Sequence, residues 1–194
     1  MSWLEIIGVI TNVLGVWLTV RRNMLCWPIG IVGVSVYCYQ FLLWKLYSDT
    51  ALQAFYAVTL LYGWWVWCKD QHSGEQSGLV VTRASYRRFG LEIIFTLAST
   101  ACVGWVLATF TDDPLPWGDA GLTCFSLLAS LWASRRHWES WVLWIVVDTL
   151  YAALFFVRHD QLTAWLYVMF TVLAAYGAWQ WKTEFQKNIP AVEG

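Results

Sequence analysis

The stretch Trp138-Glu139-Ser140-Trp141-Val142-Leu143-Trp144-Ile145-Val146-Val147-Asp148, continued through Tyr151 to Val157, decides how the chain is read. Trp141, Trp144, Asp148 and Tyr151 follow one another at steps of three and four, which places them on one face of a helix. The residues around them are apolar, and the run is close to the roughly 20 residues needed to cross a hydrocarbon core. Asp148 then falls near mid-depth. A carboxylate there costs on the order of 3 kcal/mol or more, so it should face a cavity or a partner rather than lipid. Indole rings one and two turns away, beside a buried negative charge, suit a flat organic cation. The plainer alternative is that the tryptophans pack on a neighbouring helix and Asp148 closes a hydrogen-bond network.

Composition supports the membrane reading. Of 194 residues, 59% are hydrophobic and 13% charged, about half the charge of a soluble domain. Sixteen tryptophans exceed what a soluble core of this size would use, and aromatic belts at two membrane surfaces would absorb many of them. No basic cluster is large enough for nucleic acid. The start, Met1-Ser2-Trp3-Leu4-Glu5, has no basic region, and the first apolar run reads as a retained span. Five scattered cysteines form no CxxC pair, and His72, His137 and His159 fall in expected loops. Neither a metal site nor haem ligation is expected. No nucleophile–base pair or phosphate loop is present either, so neither an enzyme nor a bound cofactor is expected.

Seven apolar runs are visible: Trp3–Val20, Cys26–Trp44, Ala51–Cys68, Phe89–Phe110, Trp117–Ala133, Trp138–Val157 and Leu162–Trp181. The expected fold is an all-α polytopic membrane protein with seven transmembrane helices. The connection Lys69–Arg88 reads as a flexible loop, and the tail after Lys182 as polar and frayed. Arg21, Arg22, Lys69, Arg83, Arg87, Arg88, Arg135, Arg136, Lys182 and Lys187 fall on one side of the membrane, against Lys45 and Arg158 on the other. The positive-inside rule puts the N-terminus outside and the C-terminus in the cytoplasm.

The chain also repeats itself. Shifted by 114 residues, Trp3 meets Trp117, Arg21-Arg22 meets Arg135-Arg136, and Trp27 meets Trp141. Tyr37 meets Tyr151, Phe41 meets Phe155, Tyr62-Gly63 meets Tyr176-Gly177, and Trp65 and Trp67 meet Trp179 and Trp181. This divides the chain into a first three-helix repeat (1–68), a loop and linker helix (69–116), a second repeat (117–182) and a polar tail (183–194). Two like-oriented triplets need one extra crossing between them, which the fourth run supplies. Transport folds of this kind place their site between the halves, near mid-membrane. Gly30 and Val34 stand where Trp144 and Asp148 do, so one half is expected to grip the ligand.

The third run adds Gln53 and Tyr56, three residues apart on one face. An amide in lipid needs a partner, which a ligand or a facing helix would supply. The repeat places Tyr167 where Gln53 stands, at the same depth of the seventh run. Asn12 is a weaker candidate. Glu92 is expected to pair with Arg87 or Arg88 at the surface, and Asp49 and Asp119 to serve as helix caps.

Three motifs together resemble the Pnu vitamin transporters: Trp27-Pro28-x-Gly30; Leu46-Tyr47 … Leu52-Gln53 … Tyr62-Gly63-Trp64; and Trp141-x-x-Trp144-x-x-x-Asp148. The resemblance extends from the first run to Trp181. It implies a SWEET-like three-plus-one-plus-three fold and uptake of nicotinamide riboside across the bacterial inner membrane by facilitated diffusion. Trapping by a cytoplasmic kinase would feed NAD synthesis, and the family's assembly implies a homotrimer in membrane lipid. Trp141 and Trp144 are expected to stack the ring. Asp148 and Gln53 would hydrogen-bond the sugar or amide, and Tyr56 and Tyr167 would close the site. The riboside pattern often ends on Asn where this chain has Asp148. Thiamine, also cationic and carried by relatives, is therefore the alternative substrate.

Overall fold

A computed structural model describes residues 3–43, 47–72, 80–112 and 114–188. Among them are seven α-helices: α1 (Trp3–Val20), α2 (Cys26–Leu43), α3 (Tyr47–His72), α4 (Tyr86–Phe110), α5 (Pro116–Ser134), α6 (Glu139–Val157) and α7 (Gln161–Asn188). The middle of the expected loop, with Gly74 and Gly78, the segment Trp44–Leu46 and the chain after Asn188 lie outside the described residues. Side chains around Asp49 do too, so its expected cap lies outside the description. By length and apolarity, α2, α4, α6 and Gln161–Lys187 of α7 qualify as membrane spans. In α3 the tyrosines and tryptophans, and in α5 the small polar residues, dilute the aliphatic content. The chain is a multi-pass helical membrane protein.

Helix ends differ from expectation. The start of α3 is Tyr47 rather than Ala51, and that of α4 is Tyr86 rather than Phe89, so the last residues of the expected loop are helical. Two C-terminal ends run on. The third helix continues to His72, which is therefore helical rather than in a loop, and the seventh continues past Lys182 to Asn188. Both extensions are polar. Lys, Glu and Gln are good helix formers, and a helix already nucleated within the bilayer continues through them at little cost.

The chain forms two compact units, split between Val80 and Val81. In the first, α2 packs on α1 and on α3. In the second, α5 packs on α4 and on α6, and α6 packs most extensively on α7. Several contacts recur in the two units at the repeat spacing. Trp27 meets Trp67 edge-on, with ring centroids 5.1 Å apart, and Trp141 meets Trp181 edge-on at 5.4 Å. Gly63 lies against the Trp27 ring, where a Cβ would come within 2.1 Å, and Gly177 lies against the Trp141 ring, at 2.6 Å. Tyr37 stacks on Phe41 as Tyr151 stacks on Phe155.

The ends of α1 and α5 also match. Arg22 (φ 53°) and Arg136 (φ 60°) are both left-handed. The amides of Arg22 and Asn23 donate to Thr19 and Leu18 carbonyls, and those of Arg136 and His137 to Ala133 and Trp132. This is the glycine-type helix stop, made here by arginine at a backbone cost of about 1 kcal/mol each.

The second unit carries a strap without a counterpart in the motif list above. Thr82 lies alongside the turn between α5 and α6: its N–H donates to the Arg136 carbonyl at 2.9 Å, and its carbonyl accepts from Trp138 N–H at 3.3 Å. The Thr82 hydroxyl donates to the Arg135 carbonyl at 3.0 Å and sits 2.9 Å from His137 Nδ1. Val81 and Ala84 are buried. Glu92 does not pair with Arg87 or Arg88 as expected. It accepts from Trp132 Nε1 at 2.6 Å and from the Arg135 guanidinium, because α4 turns this face toward α5. Asp119 is not a cap. It sits in the first turn of α5, where Leu115 is the N-cap, and pairs with Arg158 at 3.5 Å.

Replacing Gly177 with Val, or Gly63 with Val, drives a branched side chain into an indole. Each should destabilise the protein by about 1–3 kcal/mol, read as a lower thermal midpoint in detergent. A second expectation concerns pH. Burial, then the nearby Arg135, hold the His137 pKa below its ordinary 6.5. The unfolded chain therefore binds the proton more readily, so stability is full above about 6.5 and declines as pH falls below it. Amide exchange in residues 80–85 should quicken over that range, and His137→Gln should flatten the response.

Candidate functional site

The site is built on α6, whose phase is set by Trp141. That ring is 3% exposed, wedged against Trp181 and the bare backbone of Gly177 on α7. Seven residues are close to two helical turns, so Asp148 emerges on nearly the same side. It is 5% exposed. No hydrogen-bond or ion-pair partner for its carboxylate is found among the described residues. The Trp141 indole nitrogen is buried and finds no acceptor among the described residues. Trp144, between the two, is half-buried and its ring meets no other ring among the described residues.

Beyond Asp148 the wall is aromatic. Tyr167 of α7 stacks on Tyr151 at 4.8 Å and on Phe155 at 5.5 Å, with interplanar angles of 23° and 11°. Thr123 and Ser126 of α5 lie near the Tyr151 hydroxyl. Three helices thus converge on one half-polar surface: indole, carboxylate, phenol and two hydroxyls. This arrangement can hold a planar cation by its ring and its hydroxyls, and it contains no group placed to make or break a covalent bond.

Trp141, Trp144 and Asp148 follow one another along α6 of the second unit, and Tyr167 of α7 stacks on Tyr151, one turn beyond Asp148. Gln53 and Tyr56 lie on α3 of the first unit, both half-buried and three residues apart on one face. Four further polar groups are not candidates on sequence grounds. Tyr151 was placed on the right face but not counted as a candidate. Thr123 and Ser126 carried one signal, since Ser126 aligns with Asn12 in the repeat. Gln40 of α2 is 3% exposed within an apolar run, and nothing in that run distinguished it.

The class of protein follows from this geometry: a polytopic helical membrane protein with a buried carboxylate and aromatic side chains set among apolar helices. A profile of the family described as nicotinamide mononucleotide transporter matches residues 2–183. The chain belongs to that family and is a transporter, not an enzyme. It is 22% identical to the nicotinamide riboside transporter PnuC of Escherichia coli (strain K12), over 93% of this chain and 85% of that one. It is 26% identical to the protein of the same name from Neisseria mucosa, over 93% of this chain and 72% of that one. A crystal structure described as the vitamin B3 transporter PnuC superposes with a TM-score of 0.77 at 25% identity, covering 96% of this chain and 83% of that one.

Two substitutions test the wall. Tyr151→Phe removes only the hydroxyl facing α5 and should lower stability by about 1 kcal/mol. Tyr167→Ala removes the middle ring of the stack and should cost about 3 kcal/mol or more. Chemical or thermal unfolding in detergent reads both.

Proposed function

We propose that the chain takes up nicotinamide riboside across the bacterial inner membrane by facilitated diffusion, supplying NAD synthesis. The observation that carries this reading is Asp148: a buried carboxylate with no cationic partner among the described residues, one turn from an indole that meets no ring among them. Nicotinamide riboside has a positively charged pyridine ring and a sugar bearing hydroxyls. The carboxylate attracts the ring and accepts from the hydroxyls, and Trp144 offers its face to the cation. Trp141, tightly packed, holds the face in register. Tyr167 and Tyr151 close one end, and Gln53 and Tyr56 are proposed as further contacts to the amide or sugar.

Charge also selects among related solutes. The mononucleotide carries a phosphate of about −1.5 to −2 charge, which Asp148 would repel. The riboside is therefore favoured over the mononucleotide in the family's description. The proposed topology is three plus one plus three, SWEET-like, with both triplets running the same way and the N-terminus outside. The matching contacts within the two units support the repeat, and the lysine–arginine bias supports the orientation. Arg21, Lys69 and Lys182 stand over the rings of Trp17, Trp65 and Trp138, a pairing suited to a membrane surface. A homotrimer completes the proposal.

Calorimetry on the purified protein should show riboside binding, with the mononucleotide, thiamine and riboflavin weaker. Asp148→Leu should weaken riboside binding by roughly 10- to 100-fold, and Trp144→Ala by about 3- to 30-fold, while both variants stay folded. Unchanged affinity in Asp148→Leu would remove that residue from the site, and tighter binding of thiamine would reassign the substrate.

A further inference from the structure

A groove of about 400 Å³ runs between α4 and α5, lined mainly by Leu91, Phe95, Leu127, Leu128 and Leu131. Its α4 wall is open: Leu91 is 67% and Phe95 74% exposed. Glu92 also borders it, but Arg135 and the Trp132 indole already engage that carboxylate. Four and seven residues before Glu92 and Phe95 respectively, Arg88 lies on the same stripe of α4. Arg87 is next to it. Both are exposed, and neither is ion-paired among the described residues. Arg88 lies close enough to His137 to act on its charge. The groove is therefore apolar along its length and cationic at one lip.

We propose that this groove binds an anionic glycerophospholipid, with an acyl chain along the leucines and the phosphate at Arg87 and Arg88. Each half of the ligand has its match. A basic cluster at the end of a membrane helix attracts lipid phosphate, and the apolar channel beside it rewards burial of a chain. A free phosphate would leave the leucine channel unused. A second copy of this chain seated there would have to bury two unpaired guanidinium groups, which is costly. The inference rests on the membrane reading of α4 and not on the identity of the transported solute.

The test uses the full chain in nonionic detergent, titrated with phosphatidylglycerol, with phosphatidylcholine of the same acyl chains, and with glycerol phosphate. Phosphatidylglycerol alone should raise the thermal midpoint, and native mass spectrometry should find it retained. The double variant Arg87→Gln, Arg88→Gln should bind it about tenfold more weakly with riboside affinity unchanged. Ser99 also lines the groove, and Ser99→Trp, which fills it and leaves the arginines in place, should also weaken binding. Equal stabilisation by phosphatidylcholine, an equal response to glycerol phosphate, or indifference to both variants would overturn the proposal. So would a lipid-insensitive oligomer that Phe95→Arg dissolves, since a second copy would then occupy the groove.

Discussion

The contact on which the rest depends is an indole pressed onto a helix that has no side chain at that point. Trp27 on Gly63 and Trp141 on Gly177 each bring two helices close enough for ring and backbone to touch. In a bilayer such contacts matter more than in water, because lipid is as apolar as leucine and only close packing favours helix association. The wedge also fixes rotation. With Trp141 held against α7, Asp148 two turns on cannot swing toward lipid. A packing residue thereby settles the orientation of a charged one.

The two units use this scaffold differently. In the first, Gly30 occupies the position of Trp144, and Leu60 approaches so closely that a Cβ there would lie 3.2 Å from it. The space is given to helix packing. In the second, the same position carries an indole that meets no other ring among the described residues, and Val34 gives way to Asp148. The two units share matching contacts and differ at these few side chains, and the proposed ligand surface uses the second set. The riboside reading follows from that difference in chemistry rather than from the frame.

Most of the fold was legible in the sequence because membrane helices are limited by length and apolarity. The seven runs became seven helices, and the matched arginine pairs and tryptophans became matched turns and wedges. Legibility failed where contacts span the chain. Glu92 lies near Arg87 and Arg88 in sequence, yet its partners are Trp132 and Arg135, some forty residues later. The strap at Thr82 pairs with a turn that no local pattern indicates. The extensions of α3 and α7 were hidden because polarity marks where a membrane ends, not where a helix does. In the site, the face of α6 could be read from spacing alone. Thr123, Ser126 and the stack on Tyr167 could not, since they depend on how α5 and α7 approach it.

The strap has a mechanical meaning. Because Thr82 is stitched to the corner between α5 and α6 just before α4 begins, α4 is fastened within the second unit at its start as well as along α5. The fourth helix is therefore a member of that unit and not a free tether, and whatever loosens the corner also loosens the root of α4.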